Sequence, residues 1–398
     1  MNRSLRRSTL AVAGATILTA TALTACSSSN STGGTGGSTG ALAGGTVSKS
    51  ASDGVAHANA QIAKFKQERQ HYGTPAKVAN VPDLKGKTVW YVPIGTSVPV
   101  LKTMGTAIDQ AMSKLGANVH VCDGKFTPTT VAQCMSDAGT HGAAAVITGF
   151  VDYKSVPSAF QSLAAKGIPT LVAGEAKPAG VKANKNLGFF DTTPLTHQAY
   201  QLMADAVIAD SKGNATVLQI ELTDSATTVS NTTASNEEFS KYCADCKVTT
   251  VSTTTADIAK LGSLISAKLS ANPGTNYVLI PQDAFLQAAL PGLQSSGFIN
   301  KVKIVTAGGS TAGLQSTKSK QIAYNIGQGA IEQGWAIADA GVRLMSNATV
   351  TPETDGPVRV FTPENVKPLQ LTDANYNSSV WYGGDAWQQD FLTAWGVK

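Results

Sequence analysis

Charge is scarce in this chain: Asp, Glu, Lys and Arg together make up 14% of 398 residues, and aromatics only 6%. With 31 basic and 26 acidic residues the formal charge is +5. That is far from the basic stripe a nucleic-acid surface requires, so no nucleic-acid partner is expected. Long apolar runs are absent too, and no segment reaches the length of a membrane-spanning helix. Histidines stand singly at 57, 71, 120, 141 and 197, without the paired spacing of metal ligands; His120-Val121-Cys122 could hold zinc only by giving up a disulfide. No Walker sequence occurs, and no Gly-x-Ser-x-Gly elbow stands at a strand-to-helix turn, which removes the commonest α/β nucleotidases and hydrolases. Gly327-Gln328-Gly329 opens a helix after a strand, yet the third glycine of a dinucleotide loop is displaced to Gly334. No metal, cofactor or catalytic constellation is expected, and the chain reads as a non-enzyme.

What the sequence does contain starts at its N-terminus. Arg3, Arg6 and Arg7 precede an apolar stretch from Leu10 to Leu23, too short to span a bilayer but long enough for a signal-peptide core, and Leu23-Thr24-Ala25-Cys26 closes it. The pattern predicts export, cleavage of residues 1–25 and lipidation of Cys26, so the mature chain is expected outside the cytoplasm on a lipid anchor at the cell membrane. Arg6-Arg7 leaves the export route open. Loss of the three arginines would lower the formal charge to +2. Residues 26–50, mostly Ser, Gly and Thr, cannot bury enough surface to fold and read as a flexible tether. Residues 51–83 read as a helical extension: a helix is predicted from Ser52 to Arg69 on an apolar stripe at Val55, Ala58, Ile62 and Phe65.

Besides Cys26, the cysteines are Cys122, Cys134, Cys243 and Cys246, an even number in an oxidising compartment. Four cysteines admit three pairings. Cys122 with Cys134 and Cys243 with Cys246 is expected, since each pair is close in sequence and lies in its own half of the chain. A redox-active Cys-x-x-Cys belongs at a helix N-terminus, whereas Cys243-Ala244-Asp245-Cys246 follows the helical run 237–242, so a structural bridge is read here.

Beyond Gly86 short β-branched runs alternate with helical ones. Strands are predicted at 87–92, 118–122, 143–148, 169–172 and 187–190, and a helix carries Leu101, Met104, Ile108, Ala111, Met112 and Leu115 on one face until Gly116 stops it. The rhythm restarts at 216–220, 247–251, 277–280, 302–306 and 322–325, and a long helix follows from Ile331 to Met345. Even the lead-ins echo: Lys85-Gly86-Lys87-Thr88-Val89 against Lys212-Gly213-Asn214-Ala215-Thr216-Val217. The fold class is therefore α/β, with two Rossmann-like lobes whose parallel sheets are covered by helices. The tail from Pro352 has no period and reads as a segment draped across the lobes.

Export, tether and two consecutive five-strand halves together resemble the type I solute-binding proteins of ABC importers, in the ribose-binding-like branch that shares its fold with lac-repressor-type effector domains. Local echoes are Lys166-Gly167-Ile168-Pro169, Phe189-Phe190-Asp191, Ile280-Pro281-Gln282-Asp283, Val305-Thr306-Ala307-Gly308-Gly309 and Ile326-Gly327-Gln328 followed by Glu332-Gln333-Gly334. The resemblance implies a first lobe of residues 84–190 plus 328–350, a second of 191–327 plus 351–398, and a three-strand hinge. It also implies a small polar, sugar-like solute between the lobes, an ABC permease as partner and a monomeric state.

Residue by residue, the resemblance places Gln328 where family members aim a glutamine at a sugar hydroxyl, and Gln282 where an asparagine or aspartate is usual. Thr96 and Ser97 stand in the corner after the first strand, which lacks the family's aromatic pair. Glu175 stands in the corner after the fourth strand, without the arginine that usually follows, and Gly308 replaces a frequent ligand acid. Asp191 falls at the first lobe crossing. Asp152, Glu175, Asp224 and Asp283 make the implied cleft rim richer in acids than in bases. Trp335, Trp381, Tyr382 and Trp387 are assigned to core and tail packing. The same fold also accommodates a tethered sensor that presents its closed form to a membrane receptor, and an extracytoplasmic enzyme that would turn its ligand over.

Overall fold

The alternation of strand and helix runs resolves into two sheets. The computed structural model describes residues 51–68, 74–224, 226–352 and 356–397; the expected leader, the tether and Cys26 lie outside the described residues. Helix α1 (Ala51–Phe65) comes first. The first lobe follows with β1 (Thr88–Pro93), α2 (Pro99–Ser113), β2 (Asn118–Val121), α3 (Pro128–Thr140), β3 (Ala145–Gly149), α4 (Pro157–Ala165), β4 (Thr170–Ala173) and β5 (Leu187–Phe190). Its strand order is β2-β1-β3-β4-β5, parallel throughout.

The second lobe contains α5 (Thr193–Ser211), β6 (Thr216–Leu222), α6 (Ala226–Tyr242), β7 (Lys247–Thr253), α7 (Leu261–Ala271), β8 (Tyr277–Ile280), α8 (Leu286–Ser295), β9 (Lys303–Gly308), α9 (Thr311–Lys318) and β10 (Tyr324–Gln328). The chain then returns through α10 (Ala330–Met345) to the first lobe and back for β11 (Val358–Phe361), before α11 (Asp373–Tyr376) and α12 (Gln388–Trp395). The second sheet runs β11-β10-β9-β8-β6-β7 and is parallel except for β11, which pairs antiparallel with β10.

All ten predicted strands are present. Every residue of β3, β4 and β8 is buried, as expected of parallel strands covered on both faces. Helices α2, α3, α4 and α5 each begin with a proline in the first two positions, where its missing N–H costs nothing and its fixed φ favours the first turn. Both expected disulfides form, Cys122–Cys134 and Cys243–Cys246, the latter just after the C-terminal end of α6. Strand β11 was not predicted: four residues with Arg359 in the middle carry no period of their own.

The tail departs from its expected allocation to the second lobe. Val366, Trp381 and Tyr382 do pack there, against Leu314 and Phe361. Trp387, Ala394 and Trp395 instead join the first-lobe core. Trp395 stacks on Trp335 with planes 4° apart, and its Nε1 donates to Asp339 Oδ1 at 2.7 Å. A large apolar ring whose one polar atom finds a buried acceptor is a strong anchor, and it decides where the chain end goes. The extension behaves in the opposite sense: α1 packs on the second lobe, while Val78 and Leu84 belong to the first-lobe core and the Val78 N–H donates to Ala394 O at 2.8 Å. Extension and tail thus add two passages to the three hinge crossings.

Candidate functional site

Strands of both lobes end at a shared cavity, the crevice at carboxyl ends where open parallel sheets receive ligands. Its first-lobe wall is apolar. Ile94 follows β1, the first turns of α2 bring Val98, Val100, Leu101 and Met104, Phe126 follows β2 and Phe150 follows β3. Phe126 and Phe150 have φ of 57° and 56°, left-handed backbone that bulky residues rarely adopt. Each ring lies on a glycine: a Cβ on Gly95 would overlap the Phe126 ring, and one on Gly174, itself at φ 91°, would come within 2.8 Å of the Phe150 ring. Local strain of this kind persists only where surrounding packing holds it.

The second-lobe wall is mostly polar. Thr196 and Tyr200 come from α5, Asp224 follows β6, Thr227, Thr228 and Asn231 come from the start of α6, Thr255 follows β7, Gln282 follows β8 and Gln328 ends β10; Leu222 and Phe285 are its apolar members. Thr196 Oγ1 donates to Asn231 Oδ1 at 2.8 Å, which engages the carbonyl end of that amide and leaves its NH2 as the donor end. Asp224 Oδ2 accepts from the Thr255 N–H at 2.6 Å, tying two rim loops together.

Of the residues expected at the site, Asp224, Gln282 and Gln328 line this cavity. Thr96 does not: its N–H and Oγ1 donate to Asp123 at 3.0 and 2.8 Å. Burial would raise the Asp123 pKa, but these bonds and the Lys125 N–H hold the carboxyl below its ordinary value. Ser97 is exposed beside it. Asp152 caps a short 3-10 turn by accepting from Lys154 N at 2.8 Å, and faces a neighbouring surface groove with His197. Asp191 accepts from Thr193 N at 2.8 Å and so shapes the first crossing. Glu175 is buried and accepts from Thr227 Oγ1 of the opposite lobe at 2.5 Å. Asp283 is buried beneath the cavity, where it accepts from Ser310 N, Ser310 Oγ and Asn325 Nδ2 at 2.8 to 2.9 Å.

Sequence reasoning missed Phe126, Phe150, Phe285 and Asn231. A signal exists for two of them. Phe150 directly follows the glycine that ends β3, and Phe126 follows Asp123-Gly124-Lys125 just past β2, so aromatics stand at the carboxyl ends of the second and third strands instead of the first. Trp335, Trp381 and Trp387 are buried in cores, as expected.

Residues 89–349 match the family profile described as a periplasmic binding protein domain. No curated protein matches in sequence. The solved 5-methylthioribose transporter solute binding protein of Thermotoga lettingae superposes with a TM-score of 0.64 at 12% identity, over 80% of this chain and 99% of its own. A glucose-galactose binding protein of Geobacillus stearothermophilus gives 0.62 at 15% identity, over 72% and 100%. A Mycobacterium smegmatis protein in complex with β-D-fucofuranose gives 0.59 at 16%, over 73% and 96%. The matched span runs from β1 past the end of α10 and takes in the first sheet, every strand of the second sheet except β11, and the cavity between them; with its two α/β lobes of type I topology, the chain belongs to the periplasmic binding protein domain family.

Proposed function

We propose that this protein captures a small sugar-like solute with one apolar face, outside the cytoplasm, and delivers it to an ABC importer. The observation that carries this reading is the asymmetry of the cavity, whose first-lobe wall is built from aliphatic side chains and two phenylalanines while its second-lobe wall carries amides and hydroxyls. Amides such as those of Gln282, Gln328 and Asn231 both donate and accept, and so suit neighbouring hydroxyls on a ring. Burying on the order of 100 Å² of apolar ligand surface contributes roughly 2.5 kcal/mol, more than one neutral hydrogen bond. A simple polyol would forgo that term. The cargoes named for the structural neighbours, 5-methylthioribose and β-D-fucofuranose among them, support a sugar-like class.

Capture works by closure, and closure is driven by the solute's greater affinity for the closed form. A lipid on Cys26 would keep the loaded protein near its permease. The cavity serves retention, so bound solute leaves unchanged.

The test is mass spectrometry of small molecules released on denaturation, followed by calorimetric titration with matched pairs of sugars, each parent against its deoxy, methyl or thio derivative. The reading expects one-to-one binding without conversion and a derivative that binds about tenfold or more tighter than its parent. Turnover would make the protein an enzyme. Tighter binding of every parent polyol would remove the apolar face from the proposal.

A further inference from the structure

Where α1 docks on the second lobe, ligating side chains converge from three helices. His57 Nε2 of α1 lies 3.0 Å from Glu238 Oε1 of α6 and 3.9 Å from Asp205 Oδ1 of α5. All three donor atoms fall within 4.8 Å of one another, near enough that small side-chain shifts would bring them to the roughly 2.0 to 2.2 Å at which one ion is held. Asp205 is 2% exposed, and its Oδ1, the atom that faces His57, has no hydrogen-bond partner among the described residues. A buried carboxylate oxygen in that condition is costly unless a proton or a cation completes it.

The surroundings suit an ion. Lys241 is the other charged group lining this cavity, and its Nζ lies out over the Tyr242 ring, 4.9 Å from the centroid. Gln61, Gln198 and Gln201 complete the polar lining as neutral groups on the open side, where water reaches. The ligands are also preorganised. The His57 ring stacks on Tyr242, with centroids 3.7 Å apart and planes at 4°. One turn earlier, Gly54 has no Cβ, and any Cβ there would overlap the Tyr242 carbonyl, so α1 sits as close to α6 as backbone permits. The Cys243–Cys246 bridge holds the chain just beyond.

We propose that His57, Asp205 and Glu238 form a site for one divalent first-row transition ion of the Zn²⁺ class, which clamps helix α1 to the second lobe. The imidazole favours such an ion over Mg²⁺ or Ca²⁺, which prefer all-oxygen shells. With three protein ligands, the ion takes water for the rest of its shell. No residue lines both this cavity and the solute cavity, and the site is independent of the cargo. It fixes the helix by which the preceding chain joins the body.

The test uses chelator-treated protein titrated with Zn²⁺ by calorimetry and with Co²⁺ by visible absorption, alongside H57Q, D205N and E238Q. The expected result is one equivalent of Zn²⁺, a raised melting temperature and a Co²⁺ ligand-field band. Each variant should lose affinity by more than the roughly 10- to 100-fold that loss of an outer-sphere partner costs. Solute binding should not change. Should D205N fail to fold, H57Q decides, because the His57 side chain is 24% exposed at the edge of the cluster. No stoichiometric uptake by the unaltered protein, or equal uptake and an equal Co²⁺ spectrum in H57Q, overturns the proposal.

Discussion

Thr227 Oγ1 donates a 2.5 Å hydrogen bond to Glu175 Oε2, joining the start of α6 to the corner after β4 in a buried contact between the two lobes. The contact exists only while the lobes are together. Glu175→Ala is therefore expected to shift the molecule toward its open form and weaken solute binding by about 1.5–3 kcal/mol, the range for a hydrogen bond to a charged group. Small-angle scattering should show a larger radius of gyration at equal solute concentration. Unchanged affinity and radius would take Glu175 out of closure.

The two strained phenylalanines should matter for affinity. Phe126→Ala and Phe150→Ala are each expected to cost about 1.5–3 kcal/mol of binding to a solute with an apolar face, with the smaller loss for one without it. Gly95→Ala keeps the Phe126 ring but takes away the space it occupies, so calorimetry should register a similar loss with the chemistry of the wall intact.

Gln328 ends β10 on the cavity at the second hinge crossing. Gln328→Ala is expected to weaken solute binding by about 1–3 kcal/mol by leaving a buried ligand hydroxyl unpaired. A dissociation constant that stays put would remove Gln328 from the site.

Asp283 should behave as a structural residue. Burial raises its pKa, against the opposing bonds from Asn325 and Ser310. Asp283→Ala strands those donors, and equilibrium denaturation should show a loss of more than about 3 kcal/mol. Solute affinity of the folded protein should hold. The reverse outcome, intact stability with lost affinity, would restore Asp283 to the ligand set.

Burial pushes Glu332, in the first turn of α10, up to about 7 from 4.5. Between those values the native state holds a proton that the unfolded chain has released, so stability is greatest below about 4.5 and falls as pH rises through about 7. The contribution is on the order of 3 kcal/mol. Denaturation midpoints at about pH 5 and about pH 8 should differ in that sense, and Glu332→Gln should flatten the difference.

Periodicity is a local property, and the elements that depend on it were legible. The apolar runs that became β3, β4 and β8, the face of α2 and the prolines that start α2 to α5 all act within a few neighbours, and so did the two short-range disulfides. Strand β11 was not, because an antiparallel edge strand with Arg359 at its centre depends on β10 to supply its pairing.

The site followed the same division. Asp224, Asp152 and Asp283 all stand just past strands or turns, yet one lines the cavity, one caps a turn and one sits under a network of donors. Nothing in the flanking residues distinguishes them, since the distinction lies in which loop faces them from another part of the chain. Phe126 and Phe150 show this from the other side, because each depends on a glycine in a different corner, Gly95 or Gly174.

What the sequence by itself determined was the α/β class, the two lobes and the cysteine pairing, all carried by short-range pattern. Tertiary structure alone decided which polar groups meet the cavity, that its first-lobe wall is apolar, that the chain end returns to Trp335, and that His57 meets Glu238 across 181 positions. Those contacts arise when strands distant in sequence end at the same edge of a sheet, and packing there follows shape and burial, which one stretch of chain does not encode.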